Sequence, residues 1–221
     1  MIKTKELFDL SHTQAGGYLS GLEYPWQALN GIKDFVVAYG DKLDKNKYNE
    51  IKPYVWVHKS ATVAPTAYIG SPCIIGAETE VRHCAFIRGS VMAGRGCVIG
   101  NSTELKNVIL FDEVQVPHYN YAGDSILGYK AHMGAGAITS NVKSDRTVVT
   151  VNTECKKIVT GLKKFGAMLG DYVEIGCNTV LNPGTVIGKN TNIYPLSCVR
   201  GCVAGNCIYK TGGVIVPKQI L

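Results

Sequence analysis

The stretch VPHYNYAGDS, residues 116–125, concentrates side chains that could move a proton. His118 has Tyr119 and Tyr121 beside it. A neutral imidazole near pH 7 can take a proton from a weakly nucleophilic hydroxyl or amine while that group attacks a thioester. His118 is therefore a candidate general base. The alternative is a histidine that only satisfies a backbone carbonyl at a corner of the fold.

Basic side chains in the C-terminal half could hold an anion. The chain has 23 basic and 17 acidic residues and a net charge of +6. Coenzyme A and sugar phosphates both need fixed positive charge, although each of these side chains could equally be a solvated surface residue. No nucleic-acid partner is expected, because no nucleic-acid-binding motif accompanies the charge and only 18% of residues are charged. The basic residues concerned are Lys156, Lys157, Lys163, Lys164, Lys189, Arg200, Lys210 and Lys218.

A six-residue period indicates the elements that must position these groups. Neither a helix nor an ordinary strand produces this period, whereas a flattened coil that turns a corner every six residues returns one side chain per face to a shared interior. The sequence therefore predicts an all-β solenoid, a parallel β-helix. The apolar column consists of Val57, Val63, Ile69, Ile75, Val81, Ile87, Ala93, Ile99, Leu105 and Phe111.

The period is disturbed near His118 and lost further along. After Phe111 the column continues at Val116, Ala122, Leu127 and Met133, so two hexads each lack one residue. A second regular run extends from Leu169 to Val199, and residues of about 140–167 between the runs do not fit the hexad. We interpret this stretch as an irregular loop ejected from the coil.

Residues 1–52 form a leader of a different kind, and residues 53–221 form the coil. Pro25 can begin a helix, Gly40 can end it, and Trp26, Leu29, Ile32, Phe35 and Tyr39 recur at helical spacing between them. The pattern predicts one amphipathic helix. Because the end of a solenoid exposes apolar surface and unpaired strand edges, we expect the leader to cap the coil.

Composition favours a cytoplasmic protein without a metal. No stretch approaches the ~20 apolar residues of a membrane span, and MIKTKELFDL lacks the apolar run of a signal peptide. The cysteines form no CxxC pair, which favours reduced thiols that pack in the core. The triplet Cys198, Cys202 and Cys207 lacks a convincing fourth metal ligand. The remaining cysteines in or near the repeats are Cys73, Cys84, Cys97 and Cys177.

The hexads resemble those of the hexapeptide-repeat acyltransferases. That resemblance implies a left-handed parallel β-helix and a homotrimer with active sites between neighbouring subunits. Val81 to Arg200 is similar to the C-terminal acetyltransferase domain of the bifunctional enzymes that make UDP-N-acetylglucosamine. The similarity implies an acetyl-CoA-dependent N-acetyltransferase acting on an amino-sugar phosphate such as glucosamine-1-phosphate, in the synthesis of amino-sugar nucleotides and cell-envelope precursors.

The resemblance assigns roles to individual residues on the acceptor side. IRGS places a phosphate-binding arginine on Arg88, and IGNSTELKN places a sugar-phosphate-binding lysine on Lys106. VPHYNYAGDSILG gives the catalytic base to His118 and a substrate contact to Tyr121. A lysine and an arginine on adjacent coils can grip a phosphate, and a tyrosine can hydrogen-bond a sugar hydroxyl.

Two further segments complete the resemblance. MGAGAITSN places an asparagine near the acetyl group on Asn141, where it could orient an amine or polarise a thioester carbonyl. His132 stands at the position of the family's sugar-contacting asparagine and is expected to line the same cleft. LKKFGAMLGDYVEIGCNTVLNPGTVIG resembles the coil on the coenzyme A side, where Cys177 replaces a serine. The candidate contacts on this side are Lys163, Lys164, Cys177, Pro195 and Arg200.

Other functions remain open at this point. No glycine-rich nucleotide loop precedes the repeats, so no nucleotidyl transfer is expected from this chain. A catalytically silent trimeric scaffold that binds sugar nucleotides, or a partner of a separate uridyltransferase, would also keep the hexads. A γ-type carbonic anhydrase would bind zinc through three histidines such as His83, His118 and His132. Its HxxxxH spacing requires a histidine where Glu113 or Gly123 stands.

Overall fold

The computed structural model describes residues 2–153 and 156–219. Its helices are α1 (Thr4–Leu7), α2 (Gly16–Ser20) and α3 (Ile32–Gly40), with 3-10 turns at Leu10–His12 and Pro25–Ala28. Strands at the N-terminal side are β1 (Tyr48–Lys52), β2 (Val55–His58), β3 (Thr62–Val63), β4 (Tyr68–Ile69), β5 (Cys73–Ile75), β6 (Glu80–Val81), β7 (Phe86–Ile87), β8 (Val91–Ala93), β9 (Val98–Asn101), β10 (Glu104–Leu110), β11 (Gln115–His118) and β12 (Tyr121–Leu127). They are followed by β13 (His132–Met133), β14 (Ile138–Thr139), β15 (Thr150–Asn152), β16 (Lys157–Val159), β17 (Ala167–Leu169), β18 (Glu174–Ile175), β19 (Val180–Leu181), β20 (Thr185–Ile187), β21 (Asn192–Ile193), β22 (Cys198–Val199), β23 (Cys202–Val203), β24 (Cys207–Tyr209) and β25 (Ile215–Pro217).

The strands of the coil form three faces. The first face contains β2, β5, β8, the second halves of β10 and β12, β17, β20 and β23. The second face contains β3, β6, β9, β11, β13, β18, β21 and β24. The third face contains β4, β7, the first halves of β10 and β12, β14, β19 and β22. Within each face these strands pair in parallel, which confirms the predicted parallel β-helix, a solenoid of about 8 turns.

The interior of the coil is one stack of apolar side chains. On the first face Ile75, Ala93, Leu110 and Leu127 pair in successive turns, and each side chain is fully buried. Burial of one such large apolar side chain contributes roughly 1.5–3 kcal/mol. The hexad pattern is therefore the sequence signature of this column.

The structure corrects the predicted position of one column residue. Leu110 pairs with Ala93 and completes the column, whereas Phe111 lies one position beyond it. The first five-residue step therefore falls between Leu105 and Leu110. Phe111 is also buried, because the ring of Phe8 in the leader packs on it at 5.0 Å between centroids.

Each turn passes three corners, which we name by one residue each. The Asp171 corner joins the first and second faces, the His118 corner the second and third, and the Asp124 corner the third and first. At each of these corners one residue has left-handed backbone: Tyr172, Tyr119 and Asp124 with φ of 59°, 51° and 48°. Such residues let the chain change direction without leaving the stack.

The leader lies along the side of the coil, and its last strand, β1, lies against the first strand of the coil. Side chains alternate along a strand, so the first face also has an outward column. That column is apolar, and α3 packs against β5, β8 and β10 to cover it. At the start of the coil, β1 pairs antiparallel with β2. The outward column consists of Trp56, Ile74, Met92, Ile109, Ile126 and Met168.

The single predicted helix is interrupted. Pro25–Ala28 is a 3-10 turn and α3 begins only at Ile32. A β-carbon on Gly31 would lie 2.5 Å from the Tyr18 hydroxyl oxygen, and that hydroxyl donates to Ala28 O at 2.7 Å. Tyr18 thus occupies the space beside Gly31 where the predicted helix is interrupted, and the helix ends at Gly40 as predicted.

The segment between β14 and β17 leaves the coil at the Asp124 corner and returns there. It contains the antiparallel pair β15 and β16. Leu127, which precedes the segment, pairs with Leu169, which follows it, so the strand register of the first face is kept across the segment. The segment thus adds a projection to one corner and leaves the three faces intact.

All seven cysteines within the described ranges are free thiols. In the same ranges no helix is both long and apolar enough to cross a membrane.

Candidate active site

The third face carries the cationic side chains assigned to the acceptor phosphate. Ile87 pairs with Leu105, so Arg88 lies beside Lys106 on the adjacent turn. Arg88 is half-exposed and forms a 3.0 Å ion pair with Glu104. Arg200 follows in the same column, because Leu181 pairs with Val199 further along the face. At about 4.8 Å per turn, Arg200 lies roughly 19 Å from Lys106.

The His118 corner brings together the predicted base and two predicted coenzyme contacts. A ladder of backbone hydrogen bonds between successive turns places His118, Ala135, Cys177 and Pro195 in one column. At about 4.8 Å per turn, Cys177 lies roughly 10 Å from His118. The donors and acceptors are Tyr119 N and Asn101 O (2.9 Å), Gly136 N and His118 O (3.0 Å), Asn178 N and Ala135 O (2.8 Å), and Leu196 N and Cys177 O (2.9 Å).

The His118 ring projects outside the coil. His118 is exposed, and its side chain makes no hydrogen bond or ion pair with any residue in the described part of the chain. Its backbone N–H donates to Asn120 Oδ1 at 3.1 Å, which fixes the main chain at the corner. The imidazole is therefore available to a ligand.

The Asp124 corner holds Lys106 and Asn141 around one buried carboxylate. Asp124 accepts from Lys106 Nζ at 3.0 and 2.9 Å, one distance to each oxygen, and from Asn107 Nδ2 at 2.9 Å. Asn141 Nδ2 donates to the same carboxylate. The Asp124 side chain is only 4% exposed, so these donors replace the water it would have at the surface. We call Lys106, Asn107, Asp124 and Asn141 the Asp124 cluster.

Tyr121 connects this cluster to the third face. Its hydroxyl accepts from Asn141 Nδ2 at 3.1 Å, and its backbone pairs with that of Glu104. Partial burial raises the pKa of Tyr121, and the negative charges of Asp124 and Glu104 raise that pKa further. The phenol is therefore a neutral donor over the physiological pH range.

Three predicted site residues lie elsewhere. His132 is on the second face, where its Nδ1 lies 2.8 Å from Glu174 Oε2, and it makes no contact with the Asp124 cluster. Lys163 and Lys164 are exposed on the segment that leaves the coil at the Asp124 corner. Phe165, which follows them, donates its N–H to Asn141 O at 2.9 Å.

The three histidines considered for a metal do not converge within the chain. His83 bonds Thr66 Oγ1 through Nδ1 at 2.9 Å and lies two turns from His118 in the His118 corner. His132 is held by Glu174. Within the described ranges, no group of three His, Cys, Asp or Glu side chains is placed to bind one ion.

The motifs did not single out Asp124 or Asn107. Asn107, Asp124 and Asn141 occupy equivalent positions of successive turns, because Lys106 pairs with Gly123 and Tyr121 with Ile138. A polar residue therefore recurs every 17 positions at this corner. That recurrence in the sequence could have revealed the cluster once the turn length was known.

A family model described as the GMPPB C-terminal domain matches residues 72–203. This range covers more than half of the chain. It also contains every predicted site residue, from Arg88 to Arg200.

Two relatives extend the match beyond that domain. "Bifunctional protein GlmU" of Methanococcus maripaludis strain C5 is 31% identical over 220 residues, which cover 98% of this chain and 53% of that protein. The "Bifunctional sugar-1-phosphate nucleotidylyltransferase/acetyltransferase" of Sulfurisphaera tokodaii is 30% identical over 197 residues, which cover 88% and 49%. The chain thus spans about half the length of these relatives. Their names confirm the resemblance that the motifs predicted.

Among solved structures, the acetyltransferase domain of PglB from Neisseria gonorrhoeae is similar to this chain with 18% identity. The match covers 81% of this chain and 65% of that one, with a TM-score of 0.40.

Proposed function

The chain belongs to the family of the GMPPB C-terminal domain, and from this premise we propose that it transfers an acetyl group from acetyl-CoA to the amine of an amino-sugar phosphate. The observation that carries the proposal is the placement of unlike chemical groups around one face. Arg88 and Lys106 supply cations on adjacent turns, Tyr121 and Asn141 supply polar contacts, and the exposed His118 ring stands at the adjoining corner. An apolar or purely structural face would not need this combination.

In the proposed reaction the amine nitrogen attacks the thioester carbonyl carbon of acetyl-CoA. His118 accepts the proton that the nitrogen loses as the new C–N bond forms. The tetrahedral intermediate then collapses with cleavage of the C–S bond, and the proton passes to the departing thiolate, which leaves as the free thiol of CoA. Holding the amine against the thioester supplies much of the rate, and the histidine adds about 10² to 10⁴-fold.

We place the acceptor phosphate at Arg88 and Lys106 and a sugar hydroxyl at Tyr121. Acetyl-CoA is placed along the His118 corner, with Cys177 and Pro195 beneath it and Arg200 toward its phosphates. Lys163 and Lys164 are further candidates for those phosphates, and His132 for a contact with the acceptor. The backbone ladder that aligns His118, Cys177 and Pro195 supports this arrangement.

The proposal includes a homotrimer whose sites lie between neighbouring copies. His118 and the Asp124 cluster lie at opposite edges of the third face, and no hydrogen bond among the described residues joins them. A second copy that packs against the His118 corner would enclose the third face between His118 and the Asp124 cluster. We also propose a cytoplasmic location and a role in making amino-sugar nucleotides, and the free thiols support a reducing compartment.

The decisive experiment incubates the purified protein with acetyl-CoA and a panel of glucosamine-1-phosphate, galactosamine-1-phosphate and UDP-linked amino sugars. The product is measured by mass spectrometry, because a thiol dye for released CoA would also react with the free cysteines of the protein. We expect acetylation of a sugar phosphate. No product with any acceptor would overturn the proposed function.

The base assignment is tested with His118→Ala and the control His83→Ala. His83 lies at the same corner two turns away and is engaged with Thr66. We expect kcat to fall by about 10² to 10⁴-fold in His118→Ala and to stay near wild type in the control. Full activity of His118→Ala would remove His118 from the mechanism. Stoichiometric zinc in the purified protein would instead favour the carbonic anhydrase alternative.

A further inference from the structure

We infer that Asp124 is a positioning residue that orients Lys106 and Asn141 for the acceptor and leaves Asn141 with only its amide oxygen to offer. The inference rests on the proposed function, since it gives Asp124 a role in binding the amino-sugar phosphate. It is argued from the contacts of this carboxylate and from a comparison with a second buried aspartate.

The donors to Asp124 are unusual because all of them are side chains. Lys106 and Asn107 reach its carboxylate from the preceding turn of the coil, and Asn141 reaches it from the following turn. A side-chain donor has several rotamers, and fixing one of them costs conformational entropy. A carboxylate that gathers three such donors therefore sets their orientation before any ligand arrives.

Asp171 shows what a buried aspartate with a purely structural role looks like in this fold. Its side chain is 2% exposed and pairs with Lys189 Nζ at 2.8 Å, much as Asp124 pairs with Lys106. Its other donors, however, are the backbone N–H groups of Asp9 and Tyr129, at 2.7 and 2.9 Å. Asp171 thus binds the leader backbone directly. Asp124 instead orders side chains at the face proposed to bind the acceptor, and one of these, Asn107, also donates to Leu29 O of the leader at 3.0 Å.

The donor and acceptor count at Asn141 gives the chemical consequence. An ionised carboxylate only accepts hydrogen bonds, so the amide NH₂ of Asn141 must face Asp124. The same nitrogen donates to the Tyr121 hydroxyl, which uses the second N–H. The amide oxygen makes no hydrogen bond with any described residue. Asn141 can therefore accept an N–H or O–H from the acceptor, and it has no donor left to polarise a thioester carbonyl.

The same reasoning applies to Lys106 and Tyr121. The Lys106 ammonium has three N–H groups, and Asp124 uses those that point inward. Two of these bonds go to Asp124, and the Lys106 side chain remains 24% exposed, so one donor is left for a ligand. Tyr121 accepts from Asn141, which leaves its own O–H free to donate. Asp124 thereby determines which donors and acceptors the acceptor meets.

The test is Asp124→Asn, which preserves shape and removes the charge, with Asp171→Asn as the matched control. In Asp124→Asn an NH₂ group faces the donors of Lys106 or Asn141, so we expect kcat/KM for the sugar phosphate to fall about 10- to 100-fold. We expect the KM for acetyl-CoA to stay unchanged. In Asp171→Asn the midpoint of unfolding falls while both kinetic constants stay within about twofold of wild type.

Each outcome bears on the inference. Equal kinetic losses in the two variants, or wild-type kinetics in Asp124→Asn, would show that Asp124 has no positioning role. If Asp124→Asn does not fold, Asp124→Glu keeps the charge and displaces the carboxylate by one methylene, and an unchanged kcat/KM for the sugar phosphate in that variant overturns the inference. Absence of acetyl transfer by the wild-type protein overturns the proposed function itself, and this inference with it.

Discussion

Buried carboxylates at two corners of the coil are each paired with a lysine, Asp124 with Lys106 and Asp171 with Lys189. An ionised carboxylate in a dry environment is costly unless charged or polar donors surround it. Both aspartates meet this requirement, and no buried side-chain nitrogen or oxygen in the described ranges lacks a hydrogen-bond partner. The two pairs differ in purpose because one connects backbone segments and the other orders side chains.

We predict that Lys189→Met destabilises the protein by about 2–3 kcal/mol, because Asp171 remains buried without its countercharge. The cost stays below that of a fully buried pair, since the Lys189 side chain is one-third exposed. Urea unfolding measures the difference. The control is Lys130→Met, which breaks an exposed pair with Glu113 and should leave the urea midpoint nearly unchanged. Equal effects of the two substitutions would contradict the prediction.

Thiol reactivity should separate buried from exposed cysteines. Burial raises the pKa of Cys97 to about 12 and raises the pKa of Cys73 further. The thiolate is the reactive form, so between pH 7 and 9 both thiols remain protonated and shielded in the folded protein. Iodoacetamide should therefore label Cys84 and Cys177 and leave Cys73 and Cys97 unmodified until the chain unfolds. Peptide mass mapping across this pH range is the measurement, and native labelling of Cys97 would refute it.

Acetyl-CoA should protect Cys177 from the same reagent. Cys177 lies two turns from His118 in the column proposed to bind the coenzyme, whereas Cys84 lies at the same corner near the start of the coil. We expect the labelling rate of Cys177 to fall at least fivefold at saturating acetyl-CoA, as its exposed sulfur is covered, while that of Cys84 is unchanged. Equal rates with and without acetyl-CoA would argue against the coenzyme site.

At the residue scale, the sequence predicted side chains that belong to recognisable motifs. Lys106, Tyr121 and Asn141 come from three motifs of one family resemblance, and the structure places them around one corner. Asp124 lies within the VPHYNYAGDS stretch, yet nothing about its type or neighbours marks it as the common acceptor. Its role depends on turns of 17 residues, and that length becomes visible only when strand register is known.

At the scale of elements, the leader and the coil share one apolar surface. The outward column of the first face is as apolar as the interior, and the leader covers it along several turns. The hexad pattern predicted the inward column because an apolar residue recurs at the inward position of all three faces. Whether Leu110 or Phe111 belongs to it could not be decided from hydrophobicity, since both are apolar and Phe8 from the distant leader buries the second.

Phe8→Ala should loosen the leader. The Phe8 ring is 3% exposed and packs on Phe111, so its removal should destabilise the protein by about 3–4 kcal/mol. We expect limited proteolysis to cleave the leader at least tenfold faster while the coil resists. Phe86→Ala serves as the control, because Phe86 is 43% exposed on the third face. A leader that stays protected in Phe8→Ala would contradict its attachment through this contact.

At the scale of the whole molecule, the covered and open faces differ. The leader occupies the first face, so apolar groups that remain exposed lie elsewhere, notably Tyr119 and Leu196 at the His118 corner, which are 66% and 73% exposed. These two side chains lie three turns apart on the same corner, about 14 Å at 4.8 Å per turn. Both would be covered if copies meet at this corner, as proposed.

Sedimentation should therefore give a particle of about three times the 23.8 kDa of one chain. Leu196→Glu places a charge in the proposed contact, so we expect dissociation and, because the site needs two copies, at least a tenfold loss of acetyl transfer. Val159→Glu is the control, since Val159 is 70% exposed on the ejected segment. A wild-type monomer with full activity would refute the shared site.

Leu127 and Leu169 are hydrogen-bonded neighbours although the chain makes a long excursion between them. Because each turn of a solenoid contacts only the turns next to it, an insertion of any length at a corner leaves the stacking of the turns unchanged. The corner after Thr139 therefore tolerates insertions. We expect that exchange of this inserted segment among related proteins changes ligand preference, while the coil and His118, at the other edge of the third face, keep their positions.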